Sequence, residues 1–65
     1  MNANEILNQV YNTLKEGGYD ATRQLRDYLI SGDPTYISVA SARALIAGIS
    51  REELISALLG SYFTA

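Results

Sequence analysis

The chain has no cysteine and no histidine. Without cysteine there is no disulfide and no thiolate to bind a metal. Without histidine the commonest metal ligand and the usual base of a nucleophilic triad are both missing. Tryptophan is absent too, and proline occurs once, at Pro34. No apolar run approaches membrane-spanning length. The opening Met1-Asn2-Ala3-Asn4 lacks the basic start and apolar core of a signal peptide. A cytoplasmic protein is the expectation. Basic residues are few: one lysine and four arginines against seven acids, for a net charge of −2. A nucleic-acid binder normally carries a basic face, so this balance argues against DNA or RNA.

What is present suits a small core. Sixty-five residues make one domain, residues 1–65, and 48% of them are apolar. So short a chain, rich in Leu, Ile and Tyr and without a staple, is expected to complete its core by self-association as a homodimer.

The periodicity predicts an all-α fold, a small bundle of four short helices with brief connections. Asn4 reads as the N-cap of a first helix running to about Glu16, with Ile6, Leu7, Val10, Tyr11 and Leu14 on one face. Gly17-Gly18 stops it. Asp20 caps a second helix, Ala21 to Ser31, whose stripe is Ala21, Leu25, Tyr28 and Leu29. Arg23 and Asp27, four apart, are placed to pair. Ser31-Gly32-Asp33-Pro34 then breaks the chain. Gly32 suits a left-handed helix end, and Pro34 drives Asp33 out of the helical region. Thr35-Tyr36-Ile37 reads as a short turn or extended link. Ser38 reads as the cap of a third helix, Val39 to Ala47, with Ala42, Leu45 and Ile46 inward and Gly48 as the stop.

The last helix carries a capping box, Ser50 with Glu53, and a hydrophobic staple, Ile49 with Leu54. Leu54, Ile55, Leu58, Leu59 and Tyr62 form its apolar face, widened by Phe63. So wide a stripe makes Leu58, Leu59, Tyr62 and Phe63 the candidate dimer surface.

No catalytic constellation emerges. Asp20 and Asp33 sit where caps and turns favour Asp, and Glu52 and Glu53 sit where a helix start favours acids. Ser38 and Ser50 have no histidine to activate them. Gly17-Gly18 lacks the Lys-Ser/Thr ending of a phosphate loop. The chain is therefore read as a non-enzyme with no catalytic residue, cofactor or metal ligand. Ala44, Gly48, Ile49, Ser50 and Leu54 have helix-turn-helix spacing, which makes a small DNA-binding protein the alternative. Its reading helix would open on Arg51, Glu52 and Glu53, two of them repelled by phosphates.

Tyrosine and arginine are enriched at binding hot spots. Tyr11, Tyr28 and Tyr62 lie on apolar stripes and read as core. Arg26, Tyr36, Arg43 and Arg51 are free to meet a protein partner, and arginine's fork suits carboxylates or phosphoryl groups.

The segments Val10-Tyr11-Asn12-Thr13-Leu14-Lys15-Glu16, Gly18-Tyr19-Asp20, Gln24-Leu25 and above all Tyr28-Leu29-Ile30-Ser31-Gly32-Asp33-Pro34-Thr35-Tyr36-Ile37 carry a resemblance. Ala42-Arg43, Leu45-Ile46, Arg51-Glu52-Glu53-Leu54-Ile55 and Ser61-Tyr62-Phe63 extend it. Together they resemble the IreB-type regulatory phosphoprotein family of Gram-positive bacteria. The resemblance implies a small, non-enzymatic, homodimeric all-α regulator that acts by binding protein partners. It implies a place downstream of a membrane Ser/Thr kinase, in control of peptidoglycan-precursor synthesis. Its expected partners are a peptidoglycan-precursor enzyme or a protease subunit. Family members hold their phosphorylated threonine in a longer N-terminal tail. Thr13, Thr22, Thr35 and Thr64 do not occupy that position, so this chain reads as a short variant without the tail. The basic, His-containing stretch after the family's Asp-Pro corner is reduced here to Ser38-Val39-Ala40-Ser41.

Overall fold

A computed structural model describes residues 1–64. Four helices form in the expected order: α1 (Ala3–Glu16), α2 (Ala21–Ser31), α3 (Ala40–Ala47) and α4 (Arg51–Phe63). A 3-10 turn, Pro34–Tyr36, lies between α2 and α3, and no strand occurs among the described residues. Helix α1 packs against α2, α3 and α4, so it is the hub of the bundle.

The start of α1 falls two residues earlier than the sequence reading placed it. Asn2, not Asn4, is the N-cap, and Glu5 completes a reciprocal capping box. The Glu5 N–H donates to Asn2 Oδ1 at 2.9 Å, and the Asn2 N–H donates to Glu5 Oε1 at 3.0 Å. Both Asn2 and Asn4 suit a cap; Glu5 decides between them by standing three residues after Asn2. At the start of α4 only half of the expected box forms. Ser50 Oγ accepts the Glu53 N–H at 3.1 Å, but Glu53 reaches the Ser50 hydroxyl at 3.5 Å and not its backbone.

Helix α2 begins as expected, with Asp20 Oδ1 accepting the Arg23 N–H at 3.1 Å. It ends on Gly32 at φ +76°, whose N–H donates to the Tyr28 carbonyl at 2.7 Å. A side chain there would be strained, which is why glycine stands at this corner. Asp33 Oδ1 then accepts from the Thr35 N–H at 3.0 Å and the Thr35 hydroxyl at 2.7 Å, and so holds the turn that Pro34 begins.

Val10, Leu14, Ile37, Ile46 and Leu54 are fully buried, with Ile6, Leu7, Ala21, Tyr28 and Ala42 packed around them. Ile37 is the surprise. The link after the turn is not a surface connection, because it drops this side chain into the centre of the core.

Three side-chain expectations are corrected. Arg23 does not pair with Asp27; Arg26 does, at 3.0 Å. Ser38 does not cap α3, whose N-cap is Val39 with no side-chain bond. Instead Ser38 answers the buried Gln24. Gln24 Nε2 donates to Ser38 Oγ at 2.8 Å, and the Ser38 N–H donates to Gln24 Oε1 at 3.0 Å. Tyr28 is core as expected, but Tyr11 and Tyr62 are exposed. On α4 only Leu54 is fully buried, with Ala57 half-buried beside it. The rest of its apolar stripe, Ile55, Leu58, Leu59, Tyr62 and Phe63, is exposed.

Candidate partner-binding surface

Ile55, Leu58, Leu59 and Tyr62 recur at spacings of three and four, so they share one face of α4. All four are exposed, Tyr62 at 80%, and Phe63 beside them at 73%. The neighbouring face, Leu54, Ala57 and Ser61, turns toward α1. There the Ser61 hydroxyl donates to Asn4 Oδ1 at 3.4 Å, which sets the last turn of α4 beside the first turn of α1. The Tyr62 and Phe63 rings meet edge to face, centroids 4.8 Å apart at 82°. This pairing stiffens an apolar end that no other described residue covers.

The outward face continues into a groove of about 490 Å³. Leu7 and Tyr11 of α1, Leu25, Leu29 and Ile30 of α2, and Leu58 of α4 supply its apolar walls. Asn8, Thr22 and Arg26 supply the polar part of its lining. Helix α1 packs against both α2 and α4, and the groove lies where side chains of all three meet. Leu25 and Leu29 on its wall are half-buried. Tyr11, expected in the core, lines this groove instead, with Lys15 Nζ 5.5 Å from its ring centroid.

The four candidate partner-binding residues are dispersed. Arg26 lines the groove, with Nε and Nη2 each 3.0 Å from Asp27 Oδ1. Tyr36 is exposed on the 3-10 turn, away from that groove. Arg43 is half-buried and turned inward: its Nε donates to the Ile37 carbonyl at 3.0 Å and Nη2 to the Ser38 carbonyl at 3.5 Å. Arg51, at the start of α4, donates through Nη1 to the carbonyls of Leu29 at 3.0 Å and Ile30 at 3.4 Å. A cation at the free carbonyls of a helix end satisfies groups that have no partner within the helix. Arg51 therefore closes α2 from outside it.

The helix-turn-helix spacing does yield two helices joined by a short turn, α3 and α4. Yet the first cation of the would-be reading helix is engaged by α2, and Glu52 and Glu53 stand exposed next to it. Among the described residues no group of acidic side chains is arranged to hold a metal ion. No helix among them is long and apolar enough to cross a membrane. Residues 1–64 match the family described as IreB regulatory phosphoprotein.

Proposed function

The chain belongs to the IreB regulatory phosphoprotein family, and from that premise we propose that this regulator works by protein–protein docking through the outer face of α4 and its adjoining groove. The observation that carries the reading is the exposed stripe Ile55, Leu58, Leu59 and Tyr62, continuous through Leu58 with the groove walls. A single chain gains nothing from leaving so much apolar surface in water. At about 25 cal/mol per Å², covering it supplies a driving force for association.

In this reading two copies pair through α4 to form the homodimer. No charged residue interrupts the stripe, so a second copy meets it without like-charge repulsion. The client surface then lies on the remaining exposed residues. Arg26, Tyr36 and Arg51 are its proposed contacts; Arg43, turned inward onto the Ile37 and Ser38 carbonyls, is not among them. Arg51 in particular keeps Nη2 and Nε for a partner carboxylate while Nη1 fixes its position. A guanidinium already held in place loses less freedom on binding. The client is a peptidoglycan-precursor enzyme or a protease subunit that acts on one, and regulation is by occupancy. No reaction is assigned to the chain itself.

The test is affinity capture of the tagged chain from nuclease-treated lysate of a Gram-positive bacterium, with mass spectrometry of what is retained. Recovery of a peptidoglycan-precursor enzyme or protease subunit, lost with Tyr36→Ala or Arg26→Glu, supports the reading. Recovery of neither enzyme nor protease removes the cell-wall assignment. Sedimentation of the purified chain tests the dimer separately.

A further inference from the structure

The match to a phosphoprotein family raises a question the matched residues can answer: which hydroxyl in this chain can accept a phosphoryl group, and with what consequence. Ten serines and threonines are present. Six have hydroxyls engaged in the fold. Ser31 donates to the Asp27 carbonyl, Ser38 meets Gln24, Ser50 caps α4, Ser61 meets Asn4, Thr35 meets Asp33 and Thr64 meets the Gly60 carbonyl. Thr13 is half-buried on α1. Thr22, Ser41 and Ser56 remain exposed and without an internal hydrogen bond among the described residues.

Of these three, only Thr22 lines the groove. It also has Arg26 one turn further along the same face of α2, lining the same groove. Residues four apart on a helix are neighbours, so a phosphate on Thr22 lies within reach of that guanidinium. Ser41 and Ser56 have Leu45 and Gly60 at the corresponding position. Arg26 is 59% exposed and, among the described residues, engaged only with its sequence neighbour Asp27. A phosphate offers it more charge and more acceptor oxygens than that single carboxylate oxygen.

We propose that Thr22 is a phosphoryl-acceptor site, and that a phosphate there, held by Arg26, closes the groove to apolar partners. This rests on the reading of the groove as a docking surface. In the step, Thr22 Oγ1 attacks the γ-phosphorus of ATP on a Ser/Thr protein kinase. The new P–O bond forms as the bond to ADP breaks, and the hydroxyl proton leaves to the kinase's base. The product carries about −1.5 to −2 charges at neutral pH. Any apolar side chain entering between Leu25 and Leu58 would then have to strip water from that dianion. Burial of a charge without full compensation opposes docking.

The experiment uses the full chain prepared with phosphothreonine at position 22, beside a chain with phosphoserine at position 41. Phosphorus NMR titration of the first is expected to place the phosphate's second ionisation at lower pH than the same titration with Arg26→Ala. Sedimentation equilibrium is expected to show self-association weakened on the order of tenfold or more by phosphate at 22 and unchanged by phosphate at 41. Phosphosite mapping of the chain isolated from its host is expected to find Thr22. A phosphate that titrates identically with and without Arg26 overturns the pairing. Equal self-association of modified and unmodified chains overturns the closing of the groove. Phosphate mapped to other hydroxyls and never to Thr22 overturns the site. If the unmodified chain never self-associates, the docking reading falls and the closing with it, while titration and mapping still decide the site.

Discussion

The guanidinium of Arg51 occupies the space that a side chain on Gly32 would take. A Cβ at position 32 would stand 2.8 Å from Arg51 Cζ and 2.9 Å from Nη2. The two residues, one ending α2 and one beginning α4, therefore constrain each other. Gly32 permits the left-handed turn and leaves the room; Arg51 fills that room and binds the carbonyls the turn exposes.

Gly32→Ala should accordingly cost more than its backbone strain. The left-handed conformation alone costs about 1–2 kcal/mol for a residue with a side chain. The methyl group also displaces Arg51 from Leu29 and Ile30, a loss of about 1 kcal/mol at an exposed helix end. Urea denaturation of Gly32→Ala, Arg51→Ala and the double variant tests this. In the Arg51→Ala background the glycine substitution should retain only the strain cost. Simple additivity would show that the two residues act independently.

Gln24 and Ser38 should prove unequal partners. Ser38→Ala removes one neutral hydrogen bond, worth about 0.5–1.5 kcal/mol, and leaves one Gln24 amide donor to find water, while the second bond, from the Ser38 N–H, survives. Gln24→Ala removes two and leaves the part-buried Ser38 N–H without its acceptor, with an unmet-donor cost of about 1–3 kcal/mol in addition. Thermal unfolding of the two variants checks the order, and a Ser38→Ala loss equal to or above the Gln24→Ala loss contradicts it.

Removing core and rim residues should separate folding from assembly. Leu14→Ala and Leu54→Ala, at fully buried positions, should each cost about 2–5 kcal/mol. That is much of what a domain of this size has, at roughly 0.05–0.15 kcal/mol per residue. Leu59→Ser and Tyr62→Ser lie on the exposed stripe, and surface changes usually stay within about 0.5 kcal/mol. They should preserve the monomer's helicity at low concentration and weaken self-association. Circular dichroism with sedimentation velocity separates the two effects; unchanged sedimentation would free α4 from the dimer proposal.

Acid should act on the corner through Asp33. The Thr35 hydroxyl first, and the Thr35 N–H second, hold this carboxyl below its ordinary 3.8, with desolvation opposing weakly. A carboxyl lowered in the folded state adds stability above that ordinary value and loses it as pH falls through the folded one. Thr35→Val keeps the backbone donor and deletes the hydroxyl, so the Asp33 titration followed by carbon NMR should move upward. An unmoved midpoint would show that the hydroxyl bond is absent in solution.

The four helices, their order and most of the inward faces were legible because 3.6-residue periodicity and glycine stops are local signals. Asp20, Ser50 and the Gly32-Asp33-Pro34 corner were readable for the same reason. What escaped was set by partners distant in sequence. Gln24 is a polar residue on an apolar stripe, and only its bonds to Ser38, fourteen positions away, explain its burial. Arg43 and Arg51 read as free cations because nothing local announces the carbonyls they bind. Ile37 read as a link residue because three residues cannot reveal a period. On α4 the apolar residues run round both faces, so periodicity could identify the helix without choosing its inner side. The candidate site was half legible for that reason: Leu58, Leu59, Tyr62 and Phe63 were named from the sequence, while the groove they join needed α1 and α2 in place.

Because α1 touches every other helix, the chain has no layer it can shed. Cleaving away α4 uncovers Leu54's site on the hub, and losing α2 uncovers Tyr28's. The hub should therefore hold its amide protons until the whole molecule opens, and hydrogen exchange along α1 should report the global unfolding equilibrium. A regulator built this way is either folded or not. If exchange along α1 is global, control of such a regulator is expected to come from what covers its surface and not from a partly opened interior.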